Sequence, residues 1–117
     1  MSKIEERDRE ILRIHSDFCK VFSNSKRLEI LFFLSEGERS VGDIATELGI
    51  SVANASQHLR IMRDQGALKV RKQGQQAFYR IANENFVEGA KFIGRGLREE
   101  HRLRDNLMKN RSYKAVS

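Results

Sequence analysis

The 117-residue sequence contains no proline, no tryptophan and a single cysteine, Cys19. Without proline its helices are uninterrupted, and a lone cysteine excludes an internal disulfide and every motif that needs two cysteines in one chain. The longest apolar run, Ile30–Leu34, is far shorter than the roughly 20 residues of a membrane span, and the first residues are charged instead of apolar. These absences predict a soluble, cytoplasmic protein that does not contact a membrane.

Catalytic motifs are lacking as well. The sequence has no glycine-rich phosphate loop and no nucleophile motif. His101 and Asp105 are one helical turn apart, but the arginines around them oppose a bound cation. We therefore expect neither enzymatic activity nor a cofactor.

Positive charge, by contrast, is concentrated in one segment. The formal net charge is +6, while acidic and basic residues balance over the first twenty positions. Residues 60–80 hold only one acidic residue, Asp64, against the basic residues Arg60, Arg63, Lys69, Arg71, Lys72 and Arg80. Such a local excess indicates a nucleic-acid partner.

Hydrophobic spacing and capping residues predict five helices. A long amphipathic helix covers residues 4–22, and a short buried one follows the capping cluster at 23–25. The third helix begins at the N-cap Ser40 and stops at Gly49, and the fourth runs from the N-cap Ser51 to about Gln65. The fifth follows Asn83 and reaches about Leu107, beyond which residues 108–117 read as a frayed polar tail.

Between the fourth and fifth helices the apolar residues recur every second position, which is the spacing of a β-strand. Residues 68–72 alternate apolar and basic side chains, residues 73–75 form a turn around Gly74, and residues 76–81 return as a second strand. The predicted fold is mainly α with a small β-hairpin, in the order ααααββα, and residues 1–107 form a single domain. Two short helices joined by a glycine turn and followed by a basic hairpin constitute a winged helix-turn-helix.

This arrangement predicts a DNA-binding surface. The major groove admits one α-helix, whose amino-terminal part can reach base edges. Asn54 and Gln57 can pair with adenine, and Arg60 can reach guanine or a phosphate. His58 has a structural or phosphate-facing role in our interpretation. The full predicted surface is Ser51, Ala53, Asn54, Ser56, Gln57, His58 and Arg60 of the helix, with Lys69, Arg71, Lys72, Gln75 and Arg80 of the hairpin.

The segment from Ser25 to Ile81 resembles the ArsR/SmtB family of bacterial and archaeal repressors. The resemblance is carried by four short motifs: Lys26-Arg27-Leu28-x-Ile30-Leu31, Ser40-Val41-Gly42-Asp43-Ile44-Ala45, Ser56-Gln57-His58-Leu59 and Phe78-Tyr79-Arg80-Ile81. It implies a homodimer in which the first and last helices form the interface. Two apolar stripes agree with that implication: Ile4, Ile11, Ile14 and Phe18 in the first helix, and Phe86, Ala90, Ile93 and Leu97 in the last.

The family's metal-binding motifs are absent from this sequence. Val41-Gly42-Asp43 stands where the resemblance would place a Cys-x-Cys pair, and the last helix begins with Asn83-Glu84-Asn85 in place of an Asp-x-His motif. His15 and Cys19, four residues apart, are weak candidates for half of a metal site shared across a dimer. They also form a packing line with Leu12 and Phe22, which we favour because free cysteine is usually buried. We predict no metal site, and the effector stays open.

The predicted function is therefore a dimeric, sequence-specific transcriptional regulator, and more specifically a repressor on an inverted-repeat operator. Two alternatives remain. A winged helix can serve as a protein-interaction module with its basic wing against an acidic partner. It can also bind duplex DNA without sequence preference, as chromatin-type proteins do.

Overall fold

A computed structural model of the chain describes residues 3–104. Its helices are α1 (Glu6–Cys19), α2 (Ser25–Leu34), α3 (Val41–Leu48), α4 (Val52–Asp64) and α5 (Glu84–Arg104), and its strands are β1 (Arg39–Ser40), β2 (Leu68–Gln73) and β3 (Gln76–Ile81). A short 3-10 turn, Lys20–Phe22, follows α1 directly. The chain divides into two compact units at the junction of Ala82 and Asn83, and each is described by itself.

Side-chain caps set the starts of the helices as predicted. Asn24 Oδ1 accepts hydrogen bonds from the amides of Lys26 (2.9 Å) and Arg27 (3.2 Å) at the start of α2. Ser40 Oγ accepts one from the amide of Asp43 (3.1 Å), and Ser51 Oγ caps α4 in the same way. Each bond satisfies an amide that has no partner within the helix.

The turn between α3 and α4 is very short. Gly49 ends α3 with a left-handed φ of 67°, which glycine adopts without a steric penalty. The amide of the next residue, Ile50, donates to the carbonyl of Ala45 (3.1 Å), and its side chain is partly buried against the core. Ser51 then caps α4, so only Gly49 and Ile50 separate the last residue of α3 from the cap of α4.

The first unit is built around one apolar core. The fully buried side chains include Ile30 of α2, Ile44 of α3 and Leu59 and Met62 of α4. The inward side of α4 is formed by Ala55, Leu59 and Met62, which recur with the helical period. The core cluster is completed by Val21, Leu34, Leu48, Ala67, Leu68 and Tyr79. Packing on one side therefore determines which side of α4 remains open.

The hairpin is confirmed and belongs to a three-stranded antiparallel sheet. The strand order is β1-β3-β2, and Val70 lies opposite Tyr79 in the register. Gly74, with a φ of 62°, is the first of two loop residues, where a tight hairpin turn requires a positive φ. Strand β1 was not predicted, because a two-residue strand has no periodicity to detect.

The two longest helices expose much of their apolar surface. No residue of α1 is buried. Within the second unit, Asn83 Oδ1 caps α5 through the amide of Asn85 (2.8 Å), which confirms the predicted start. The predicted helix end near Leu107 and the predicted tail 108–117 lie outside the described residues. Within residues 3–104 no helix is both long and apolar enough to cross a membrane.

Candidate nucleic-acid interface

The outward side of α4 carries the side chains best placed to meet a ligand. Successive helical residues are rotated by about 100°, so burial of Ala55, Leu59 and Met62 turns Ala53, Gln57 and Arg60 outward. All three of these outward residues are exposed. This row is the centre of the open side and matches three of the predicted DNA-binding positions.

The other predicted positions of α4 flank that row. Asn54 is exposed on the flank that also carries His58, whereas Ser56 lies on the opposite flank and is partly buried. Ser51 Oγ accepts a hydrogen bond from the Asn54 amide at 3.0 Å, so its hydroxyl holds the first turn of the helix. The structure thus divides the predicted surface into a central row and two flanks.

His58, on one flank of α4, contacts Arg27 of α2. Arg27 Nη1 lies 3.4 Å from His58 Nδ1, and Arg27 Nε donates to the carbonyl of Val21 at 2.6 Å. One guanidinium therefore links the 3-10 turn, α2 and α4. This role of Arg27 was not predicted from the sequence. The available signal was a pair of basic residues, Lys26 and Arg27, in the first turn of a helix, where the helix dipole disfavours positive charge.

The surroundings of His58 disfavour its protonated form. Burial, and then the positive charges of Arg27 and Lys26, lower the pKa of His58 from its ordinary value of 6.5. Because the unfolded chain then binds the proton more readily, His58 contributes a loss of stability as the pH falls through 6.5. We expect the unfolding free energy of His58→Gln, measured by urea denaturation, to decline less steeply below that pH than that of the wild type. Identical pH profiles would contradict the assignment.

The predicted basic residues of the hairpin lie on two faces. Side chains alternate along a strand, so Lys69, Arg71 and Arg80 share the face opposite the buried Leu68 and Tyr79, while Lys72 lies on the other face. Lys69 lies directly opposite Arg80 on the neighbouring strand, and two like charges in such a pair destabilise the sheet. Both are exposed, and neither has an ion-pair partner within the described part of the chain. Gln75 is exposed in the turn.

Arg71 is different, because its charge is already engaged. Its Nε and Nη2 lie 2.9 and 2.8 Å from Glu38 Oε1, and its Nη1 donates to Gln73 Oε1 at 2.7 Å. The guanidinium also stacks over the Phe78 ring at 4.7 Å from the centroid. In the free chain Arg71 therefore fastens the hairpin to the segment before β1, and a phosphate would have to compete with a carboxylate.

Most of the predicted interface residues in α1, and Ile4 just before it, are exposed to solvent. Ile4, Ile11 and Ile14 are 54%, 62% and 61% exposed. Phe18, the fourth residue of that stripe, is partly buried and packs edge to face on Phe22, with ring centroids 5.6 Å apart. Ile4, Ile11 and Ile14 are therefore not buried within their own unit, whereas Phe18 packs the end of the helix against the core.

The stripe on α5 shows the same division. Ile93 and Leu97 are 66% and 41% exposed, whereas Phe86 and Ala90 are partly buried. The helix exposes a further aromatic residue, Phe92, at 63%. A group of exposed apolar side chains on one helix is typical of a surface that meets a partner.

His15 and Cys19 are both exposed on α1. Leu12 of the same proposed packing line is 49% exposed, so the packing interpretation is wrong within one chain. His15 and Cys19 stay exposed because Val21 and Phe22, which follow the helix, are the residues that pack into the core of the first unit. Across residues 3–104 no group of three or more histidine, cysteine or acidic side chains is arranged to hold a metal ion.

A helix-turn-helix with an open second helix, followed by a basic hairpin, defines the chain as a winged helix-turn-helix protein. A sequence profile of the bacterial regulatory proteins of the ArsR family matches residues 24–69. A solved domain from Mycobacterium bovis, Mb0332, described as homodimeric, DNA-binding and possibly of the ArsR family, superposes with a TM-score of 0.71 at 31% identity, covering 86% of this chain and 93% of that one. The chain belongs to the ArsR family.

Two curated relatives match over a shorter region. The transcriptional regulator Rv0324 of Mycobacterium tuberculosis is 39% identical over 66 residues, which are 56% of this chain and 29% of the relative. The transcriptional activator HlyU of Vibrio cholerae is 38% identical over 64 residues, or 55% of this chain and 59% of the relative. The chain therefore spans less than two thirds of the length of either relative.

Proposed function

We propose that the chain is a homodimeric, sequence-specific transcriptional regulator that inserts one α4 helix into each of two major grooves of an inverted-repeat operator. The observation that carries this proposal is the open row of Ala53, Gln57 and Arg60 on a helix whose opposite side is fully packed. The packed side fixes the helix rigidly, as base reading requires. Gln57 can pair with adenine, and Arg60 with guanine or a phosphate.

The wing supplies affinity without sequence information. Lys69, Lys72 and Arg80 are exposed and can neutralise phosphates beside the groove, which releases counterions. We assign no catalytic step to the chain, since binding alone suffices for regulation. Action on bacterial operators would place it in the cytoplasm.

Dimerisation follows from the exposed apolar stripes of α1 and α5. The homodimeric state of the Mycobacterium bovis domain supports it. A two-fold axis presents two recognition helices to half-sites about one helical turn apart, so the operator repeats should be inverted. We infer repression by occupation of a promoter. Because one relative is named an activator, a reporter gene under the bound promoter is the test of direction.

The experiment that tests the proposal compares binding of the full chain to DNA from upstream of its own gene and to random duplex of the same length. Fluorescence anisotropy should show tighter binding to the upstream DNA by at least about a thousandfold at physiological salt. Equal affinity for both duplexes would favour the chromatin-type alternative. Binding to neither would favour the protein-interaction module.

The wing gives a prediction that depends on the Glu38 contact. Each phosphate contact contributes about 0.9 to the slope of log affinity against log salt. Lys72→Ala should therefore reduce the slope by about 2 for a dimer and weaken operator and random duplex equally. Arg71→Ala should change it less, because Glu38 already neutralises that guanidinium. An equal or larger change in slope for Arg71→Ala, seen in a salt titration, would show that DNA displaces Glu38.

A further inference from the structure

We propose that Val52, the first residue of α4, contacts the C5 methyl group of a thymine in the major groove and thereby determines a base preference. The inference rests on the proposed function, because it requires α4 to lie in that groove. It adds a specificity-determining residue to the hydrogen-bonding side chains already considered.

Val52 is an apolar side chain that lies largely in solvent. The side chain is 56% exposed. Among the described residues, the other large apolar side chains with such exposure lie on α5, on α1 or just before it, except for Ile61 of α4. Ile61 lies at the far end of α4, in a cleft beside Asp17 and Lys20. Val52 is thus the one large apolar side chain exposed in the amino-terminal half of the described helix.

Neither packing nor helix formation accounts for a valine at this position. A side chain more than half exposed gains little from burial, and β-branched residues form helices less readily than unbranched ones. A role in binding would account for both costs. Its position fits that role, since the amino-terminal end of a recognition helix is the part that approaches base edges.

The first turn of α4 holds Val52 at the amino-terminal end of the helix, on the flank that carries Ser56. The Ser51 cap, with Oγ 3.0 Å from the Asn54 amide, fixes the first turn of α4. Val52 precedes Ala53 of the central row and lies one turn before Ser56 on the flank. An apolar side chain therefore lies at the end of the helix nearest the bases, on the same flank as Ser56 and five residues before Gln57.

Thymine is the base that this surface fits. In the major groove it presents a methyl group, which cytosine and the purines lack, and an apolar side chain is its usual partner. Because Gln57 can pair with adenine, we expect a recognised half-site to contain A·T pairs, with one thymine methyl against Val52.

Uracil provides the test, since it keeps the hydrogen-bonding groups of thymine and lacks only the methyl. Binding sites are selected from a random duplex pool by the full chain, and single uracil substitutions are then made at each thymine of the selected half-site. We compare the wild type, Val52→Ala, and Ile61→Ala as the control for an exposed apolar residue of the same helix. Thermal unfolding of each variant checks that it folds.

We expect uracil at one thymine of each half-site to weaken wild-type binding about fourfold per methyl group. Val52→Ala should bind the thymine and uracil duplexes alike, whereas Ile61→Ala should discriminate as the wild type does. Insensitivity of the wild type to every uracil, or unchanged discrimination in a folded Val52→Ala, would overturn the inference while the proposed function stands. Selection of no sequence at all would overturn the proposed function itself.

Discussion

Replacing Leu97 by glutamate is expected to convert the protein from a dimer into a folded monomer that binds its operator at least about a hundredfold more weakly. Leu97 is 41% exposed on α5, and the adjacent Ile93 is 66% exposed. A carboxylate introduced there would have to be desolvated when two apolar surfaces meet. The monomer loses the effective concentration that binding of one half-site confers on the second.

Sedimentation velocity gives the oligomeric state, and circular dichroism confirms that the helices persist. Ser16→Glu is a suitable control, because it adds the same charge to α1 on the side away from Ile11 and Ile14. That variant should remain dimeric. A monomeric wild type at micromolar concentration, or a Leu97→Glu variant that still dimerises, would contradict the proposed interface.

Gln57→Ala is expected to have the second largest effect, and mainly on operator DNA. Removal of a bidentate base contact should cost about 1–3 kcal/mol per half-site and much less on random duplex. Gln65→Ala is the matched control, since it removes the same exposed side chain at the carboxy-terminal cap of α4. Anisotropy titrations of both variants on both duplexes distinguish the outcomes. Equal losses on operator and random DNA would assign Gln57 to the DNA backbone.

Asn54 differs from Gln57 in position, although both can pair with adenine. Their residue types alone predict the same role, whereas burial of the opposite side of α4 places Gln57 in the central row and Asn54 on a flank. Asn54→Ala should therefore lower operator affinity by less than Gln57→Ala does in the same titrations.

Local chemistry explains which parts of the fold could be predicted. The caps Asn24, Ser40 and Ser51 each act within three residues, and the buried row of α4 repeats with the helical period. Such signals can be read directly from a sequence. The start of α5 at Asn83 and the turn at Gly74 were found for the same reason.

The contacts that could not be predicted join residues far apart in the chain. Arg27 and His58 are 31 positions apart, and Glu38 and Arg71 are 33 apart. No periodicity links such pairs, and the partner of a surface arginine depends on how the helices and the sheet pack. The sequence therefore predicts which residues make up the candidate site. The ion pair between Arg71 and Glu38 is seen only in the folded chain.

The short turn between α3 and α4 limits how the protein can move. Conformational changes need hinge residues that can absorb large changes in φ and ψ. Three residues lie between these helices: Gly49, held by its hydrogen bonds; Ile50, whose amide and side chain are both engaged; and Ser51, whose hydroxyl caps α4. The two helices should therefore tilt as one rigid body. Any signal that withdraws α4 from DNA must then displace α3 with it, or draw the two halves of the dimer apart.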